Sequence, residues 1–162
     1  MTHRLALRVA AGVALALAVG AAPMLAQTPA MPASPAGAWQ FATEKMGAGC
    51  SLSGNINIVR TGDKAFSCRF NAIWACEQRN PRAVHTEQSC VATQTGENVI
   101  ITSKIEKIAK VDPAAMTDLM REQYAADHFS VKINRLGDRM DGLFRSYGQA
   151  PVVFRKQADL IS

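Results

Sequence analysis

Hydrophobic and polar residues alternate with a period of two along most of the chain from residue 39 onward. In residues 50–58 the cysteine, leucine and isoleucines share one parity, while serines and asparagines take the other. Residues 66–76 repeat the pattern with phenylalanine, cysteine and tryptophan. Successive side chains of a strand point to opposite faces, so the pattern predicts two strands that each bury one face. Residues 61–64, Thr-Gly-Asp-Lys, predict the tight turn of a hairpin between them.

The same reasoning predicts six further strands, four of them in two more hairpins. These strands cover residues 39–43, 86–95, 98–105, 129–134, 140–144 and 152–156. Short, mostly sequential strands joined by turns predict a mainly β fold, an eight-stranded antiparallel up-and-down barrel. A flattened sandwich is the alternative.

One helix is predicted before the sixth strand. Residues 116–124 carry methionine, leucine and tyrosine at helical spacing. We expect Asp112 to be the N-cap and Pro113 to take the first helical position. The apolar stripe of this helix is expected to cover an open end or edge of the sheet. A lid that gates a ligand is the alternative role.

The interior of an eight-stranded barrel is either filled by side chains or wide enough for one small ligand. Several aromatic residues occupy positions of the inward parity. The ligand-contact candidates among them are Trp39, Phe66, Phe70, Trp74, Phe129 and Phe144.

Residues 1–26 have the features of a secretory signal peptide. Arg4 and Arg8 give a positive start, residues 9–19 form an uncharged apolar run, and residues 20–23 are small or helix-breaking. The run is shorter than the ~20 apolar residues of a transmembrane helix. We therefore expect export to the periplasm or secretion, and a mature protein without a transmembrane segment.

Removal of the signal peptide would leave 136 of the 162 residues, enough for one domain with a single core. Residues 27–37 are rich in proline, alanine and serine, and we expect a disordered tether there. Residues 38–158 form the predicted barrel domain. Because two of the 18 lysines and arginines lie in the leader, 16 would face 13 acidic residues. The resulting charge of +3 does not indicate nucleic-acid binding.

The four cysteines all follow the predicted signal peptide. An even number of cysteines in an exported protein indicates disulfides, here two. With the first hairpin centred near Gly62 and Asp63, Cys50 falls opposite or beside residues 74–76 of the neighbouring strand. This register favours Cys50–Cys76 together with Cys68–Cys90. A one-residue change in loop geometry would favour Cys50–Cys68 with Cys76–Cys90.

No spacing of residues indicates a catalytic, metal or cofactor site. The cysteines lack Cys-x-x-Cys spacing, the serines lack a Gly-x-Ser-x-Gly context, and the mature chain would keep two histidines, His85 and His128. Asp127 and His128 are adjacent, and neighbouring strand residues face opposite ways, so we expect a capping or surface role for them. The protein is therefore predicted not to be an enzyme and to use no metal or cofactor.

The residues Gly37-Ala-Trp39 open the first predicted strand. In this setting they resemble the Gly-x-Trp start of lipocalin-like barrels, in which the tryptophan closes one barrel end. The resemblance covers the strand plan of residues 37–156. It implies a lipocalin-like fold and a small apolar ligand held inside the barrel, with the aromatic candidates as its contacts.

The same features are similar to those of the small periplasmic inhibitors of bacterial metalloproteases. These inhibitors have a signal peptide, a flexible N-terminal trunk, a Gly-x-Trp opening strand and an eight-stranded barrel. Their trunk enters the protease cleft, and residues 27–37 correspond to it here. This resemblance implies an alternative function: inhibition of a protease, or another interaction with an envelope protein, through the tether.

Overall fold

The structure, a computed structural model, describes residues 32–158. The predicted signal peptide and residues 27–31 of the predicted tether lie outside the described residues. Within the described range lie eight strands and one α-helix, the helix being preceded by a 3-10 turn at Ala114–Met116. The elements are β1 Gly37–Thr43, β2 Cys50–Arg60, β3 Ala65–Cys76, β4 Ala83–Thr95, β5 Asn98–Asp112, α1 Thr117–Gln123, β6 His128–Ile133, β7 Arg139–Arg145 and β8 Gln149–Lys156.

Each strand pairs antiparallel with the next, and β8 pairs with β1, which closes the sheet into a barrel. In the closing pair, Trp39 lies opposite Lys156 and Phe41 lies opposite Phe154. The predicted eight-stranded antiparallel barrel is therefore confirmed, including the helix before the sixth strand. Ring closure excludes the flattened sandwich.

Strand β5 is seven residues longer than predicted and ends at Asp112. It stays paired with the beginning of β4, where Val84 lies opposite Val111 and Ala83 opposite Asp112. The prediction that Asp112 caps the helix is therefore wrong. Met116 takes the N-cap position of α1, without a side-chain hydrogen bond. Strand pairing with β4 has overridden the local capping signal, as tertiary context often does.

Two glycines mark places where neighbouring strands approach closely. A Cβ atom on Gly54 of β2 would lie 2.1 Å from the carbonyl oxygen of Asn71 on β3. A Cβ atom on Gly142 of β7 would lie 2.1 Å from the carbonyl oxygen of Ser130 on β6. Glycine in a strand often marks a tight bend at a barrel corner or close backbone approach. A side chain at either position would collide with the backbone of the neighbouring strand, so both positions require glycine.

Inward side chains from all eight strands form one hydrophobic core. Phe129 lies among four other rings, with centroid distances of 5.2 Å to Phe41, 5.9 Å to Phe70, 5.8 Å to Phe144 and 5.2 Å to Phe154. Each of the five side chains is at most 3% exposed. Burial of one such side chain contributes roughly 1.5–3 kcal/mol. Around Phe129, the barrel interior is therefore filled by aromatic side chains.

Both disulfides join directly opposite residues of neighbouring strands. Cys50 at the beginning of β2 bonds to Cys76 at the end of β3, and Cys68 of β3 bonds to Cys90 of β4. These are the pairs that the hairpin register favoured. In the chain-entropy description each bridge contributes roughly 3 kcal/mol. Disulfides of this kind are typical of proteins in oxidising compartments.

One end of the barrel, here called the tether end, is covered by residues 33–36. Trp39 Nε1 donates a hydrogen bond to the carbonyl of Pro35 at 2.8 Å, and Gln94 Nε2 donates to the carbonyl of Ala33 at 2.7 Å. Pro35 is buried, and Ala33 and Ala36 pack against the core. This part of the predicted disordered tether is thus an ordered segment held on the barrel.

The opposite end, here called the helix end, carries α1. The helix follows β5, and Tyr124 immediately after it reaches the β7–β8 loop, where its ring lies 6.0 Å from that of Tyr147. A second apolar cluster forms beneath it from Val84, Val111 and Tyr124. The apolar side of the helix therefore covers the end of the barrel, as the helical spacing predicted.

Candidate functional site

Five of the six predicted ligand-contact residues are core residues of the barrel, each at most 3% exposed. They are Trp39, Phe66, Phe70, Phe129 and Phe144. Trp39 lies at the tether end, where the Lys156 ammonium is 5.4 Å from its ring. Trp74, the sixth, is half-buried at the helix end, 6.3 Å from Phe144. The structure therefore does not bring the six together around one space, and Trp74 is the one that lines the pocket at the helix end.

The pocket at the helix end, called the mouth pocket below, has a volume of about 370 Å³. It lies between the end of β3, the beginning of β4, α1 and the β7–β8 loop. Its wall is largely apolar and aromatic. The apolar and aromatic lining residues are Trp74, Val84, Met116, Leu119, Met120 and Tyr124. A concave, mostly apolar site of this size matches the lower range of small-molecule pockets.

The helix α1 forms one wall of the mouth pocket. None of its seven residues is buried, and Leu119 is 41% exposed. Met116 and Met120 are half-buried and pack against the cluster beneath the helix. A seven-residue helix gains little stability on its own, so its position depends on these contacts. Methionine side chains are flexible and adapt to ligands of irregular shape.

Polar groups stand at the outer part of the mouth pocket. They belong to Arg79 and Asn80 in the β3–β4 loop, Gln123 at the end of α1, and Tyr147 in the β7–β8 loop. The disulfide at Cys76 fixes the strand end from which this loop departs. A few polar groups around an apolar pocket are the usual means by which a site orients its ligand.

Asp127, between α1 and β6, is fully buried and lies behind the Tyr124 wall of the pocket. Gln88 Nε2 donates a hydrogen bond to Asp127 Oδ2 at 2.5 Å, and Gln88 Oε1 accepts one from the Asp127 backbone N–H at 3.1 Å. The Tyr124 hydroxyl donates to Asp127 Oδ2 at 3.2 Å. The Ser103 hydroxyl donates to the Asp127 carbonyl. This network ties the segment after α1 to the inner faces of β4 and β5.

The environment of Asp127 changes its acidity. Burial raises the pKa of the Asp127 carboxyl from 3.8 to about 6, although hydrogen bonds from Gln88 and Tyr124 act in the opposite direction. Burial and the neighbouring Asp127 also raise the pKa of the Tyr124 hydroxyl far above its usual range. The hydroxyl therefore remains a hydrogen-bond donor to the carboxylate at neutral pH.

Asp127 and His128 have separate partners. His128 Nδ1 accepts a hydrogen bond from the backbone N–H of Ser103 at 3.1 Å. Asp127 precedes β6 and is buried in its network with Gln88 and Tyr124. The expected capping or surface role of Asp127 is therefore wrong.

The strand pattern contained a signal for this network. Thr86 and Gln88 are polar residues at inward positions of β4, with Val84 and Cys90 at the same parity. An inward polar side chain needs a buried hydrogen-bond partner. Nothing local identifies this partner as Asp127, which is 39 residues away from Gln88 in the sequence.

The described residues were also compared with the patterns of metal sites and membrane-spanning helices. In the described part of the chain, no three histidine, cysteine or acidic side chains converge as metal ligands would. Among residues 32–158, no helix has the length and hydrophobicity needed to cross a membrane.

Comparison with known proteins identifies the fold but no family. No protein-family model matches the chain, and no curated protein matches it. A redesigned β-barrel, mFAP1, bound to DFHBI, is similar with a TM-score of 0.50 and 9% identity, over 76% of this chain and 94% of that chain. A de novo designed fluorescence-activating β-barrel has a TM-score of 0.44 and 14% identity, over 75% of this chain and 93% of that chain. The lipocalin-like resemblance thus stays a prediction.

Proposed function

We propose that this protein is an exported, non-catalytic binding protein that holds a small apolar molecule in the mouth pocket. The observation that carries the proposal is the pocket itself, where Trp74, Leu119 and the two methionines of the α1 wall surround a concave space at an end of the barrel. Since the aromatic core fills the barrel interior around Phe129, we place the ligand at the helix end.

The exposure of the pocket residues supports this proposal. Leu119 is 41% exposed and Tyr147 60% exposed, and both line the mouth pocket together with the half-buried Trp74. A ligand that covers accessible apolar surface in a concave site removes this surface from water, which favours binding. The redesigned barrel mFAP1 bound to DFHBI is an example of a barrel of similar fold with a small molecule.

Export is the second part of the proposal. It rests on residues 1–26, which have the features of a signal peptide, and on the two disulfides, which fit an oxidising compartment such as the periplasm. Native mass spectrometry of protein purified from the periplasm without reductant would report the cleavage site, four lost thiol hydrogens and any retained ligand. A chain still carrying residues 1–26 would contradict export.

Binding of an apolar molecule in the mouth pocket is tested with the neutral, apolar dye N-phenyl-1-naphthylamine. We expect saturable binding that increases dye fluorescence, and about fivefold weaker binding by Leu119→Ser, because part of the apolar wall is lost. Leu136→Ser is the matched control, since Leu136 is 83% exposed in the β6–β7 turn at the tether end. Absence of saturable binding, or equal effects of the two substitutions, would overturn the proposal.

The alternative, a protein-binding role through the tether, has a different structural basis. Residues 33–36 are held on the tether end, so the residues before them begin at a fixed point of the barrel. A chain lacking residues 27–31 keeps this anchored segment. If the intact protein inhibits a secreted metalloprotease and the shortened chain does not, while dye binding is equal, the tether carries the function.

A further inference from the structure

We infer that the ligand of the mouth pocket is an anionic amphiphile, with its alkyl chain in the pocket and a carboxylate head group at Arg79. This inference rests on the proposed function and adds the chemical class of the ligand. It comes from the position of Arg79, the charge of the residues around the pocket, and the pocket volume.

Arg79 lines two depressions of the surface. Trp74, Arg79 and Tyr147 line both the mouth pocket and a second depression of about 440 Å³, which the β1–β2 loop and Gly148 also line. Arg79 is exposed in the β3–β4 loop, whereas Trp74 beside it is half-buried. The guanidinium is therefore placed at the solvent side of the apolar space, where the polar end of an amphiphile would lie.

Arg79 is also the one charged residue among the described lining residues of both depressions. Within residues 32–158, no carboxylate lies within the 4.0 Å ion-pair distance of Arg79. The nearby acid in the sequence, Glu77, instead pairs with Lys45. The charge that lines the pocket is thus positive and available to a ligand.

The guanidinium group binds carboxylates through two parallel hydrogen bonds, so it favours a planar anion over a neutral hydroxyl. The side-chain amides of Asn80 and Gln123 supply further donors at the same rim. The pocket volume of about 370 Å³ has room for roughly a dozen non-hydrogen atoms at about 30 Å³ each, the liquid volume of a water molecule. A carboxylate with a chain of about ten carbons matches this volume.

The experiment compares decanoate with decanol, which has the same chain and no charge. The chain contains two tryptophans, Trp39 and Trp74, and Trp39 is fully buried at the opposite end of the barrel. Ligand binding is followed by tryptophan fluorescence, and its absence in Trp74→Phe assigns the change to the mouth pocket. The variants are Arg79→Gln and, as the matched control, Arg82→Gln, which changes an exposed arginine near Arg79 that does not line the pocket.

We expect decanoate to bind about fivefold more tightly than decanol, which is the scale of an exposed ion pair. Arg79→Gln should abolish this preference by weakening decanoate binding, and should remove the salt dependence of decanoate binding; Arg82→Gln should keep the preference. If both molecules bind equally and Arg79→Gln alters neither, the inference that the ligand is anionic is overturned. The proposal that the mouth pocket binds an apolar molecule is then unaffected. If neither molecule changes the Trp74 fluorescence, and the dye also fails to bind, both the anionic ligand and the proposed binding function are overturned.

Discussion

The Tyr124 hydroxyl lies 3.2 Å from Asp127 Oδ2, so one residue belongs both to the pocket wall and to the buried polar network. The ring of Tyr124 faces the mouth pocket, and its hydroxyl donates to a carboxyl that Gln88 also holds from β4. The Tyr124 wall of the mouth pocket is therefore hydrogen-bonded to a buried carboxyl, and burial raises the pKa of that carboxyl to about 6.

Stability should depend on pH through Asp127. Its pKa is raised from 3.8 to about 6, so between these values the folded chain holds a proton that the unfolded chain has lost. The free energy of unfolding contributed by this group is thus highest below pH 4 and falls as the pH rises through about 6. The total loss is up to about 3 kcal/mol, at about 1.4 kcal/mol per pKa unit. Urea unfolding at pH 4 and pH 7.5 measures it.

The variant Asp127→Asn should remove this part of the pH dependence, because the amide does not titrate. Asp63→Asn is the control, since Asp63 is exposed in the β2–β3 turn. If Asp127→Asn and the control show the same difference in unfolding free energy between the two pH values, Asp127 is not the titrating group.

Tyr124→Phe removes a donor from a buried carboxylate. The hydrogen bond from Tyr124 lowers the pKa of Asp127, so its loss should raise that pKa above 6. At pH 7.5 we expect a loss of about 1.5–3 kcal/mol, the scale of a hydrogen bond to a charged group. At pH 4, where the carboxyl is protonated, the loss should be smaller. Equal losses at both pH values would indicate a packing effect; Tyr147→Phe, at a 60% exposed position, serves as the control.

Gly54→Ala should destabilise the barrel, because the new Cβ would lie 2.1 Å from the backbone oxygen of Asn71. Backbone on both sides must shift, which costs roughly 1–3 kcal/mol. Gly148→Ala is the matched control, since a Cβ there meets nothing within 4 Å. Thermal unfolding of both variants measures the effect: a midpoint for Gly54→Ala equal to that of the control would contradict the requirement for glycine at position 54.

Deletion of residues from the N-terminus should expose Trp39 to water only when the deletion removes residues 33–36. A chain starting after Met31 keeps the hydrogen bond from Trp39 Nε1 to Pro35, whereas a chain starting after Ala36 loses it and uncovers the tether end. In a Trp74→Phe background, the emission of Trp39 should shift to longer wavelength in the second chain and not in the first. The same emission in both chains would mean that residues 33–36 do not shield Trp39.

The sequence pattern predicted those features that depend on neighbouring residues. Alternation placed Trp39 and Phe129 on the buried face, and the turn at residues 61–64 set the register that brings Cys50 beside Cys76. Features that join distant segments could not be predicted in this way. The partner of Gln88 is 39 residues away, and the start of α1 is displaced because β5 remains paired to β4.

The location of the mouth pocket also depends on distant segments of the sequence and could not be predicted from it. Trp74, Leu119 and Tyr147 belong to three separate parts of the sequence, and each by itself has the pattern of an ordinary strand, helix or loop residue. Only the way α1 and the loops meet at the helix end makes them neighbours. Arg79, in a loop without periodicity, gave no sequence signal of the role proposed for it.

The pairing of β1 with β8 means that the barrel closes only when the last strand is present. The disulfides connect β2, β3 and β4, which are consecutive, so both can form before the later strands are available. A chain ending at Arg145 should accordingly oxidise all four cysteines but leave Trp39 in contact with water. Trp39 pairs with Ile56 of β2 and with Lys156 of β8, and β8 is the last strand of the chain. Covalent crosslinking can thus precede ring closure, and an intermediate without a paired β8 would be oxidised but open.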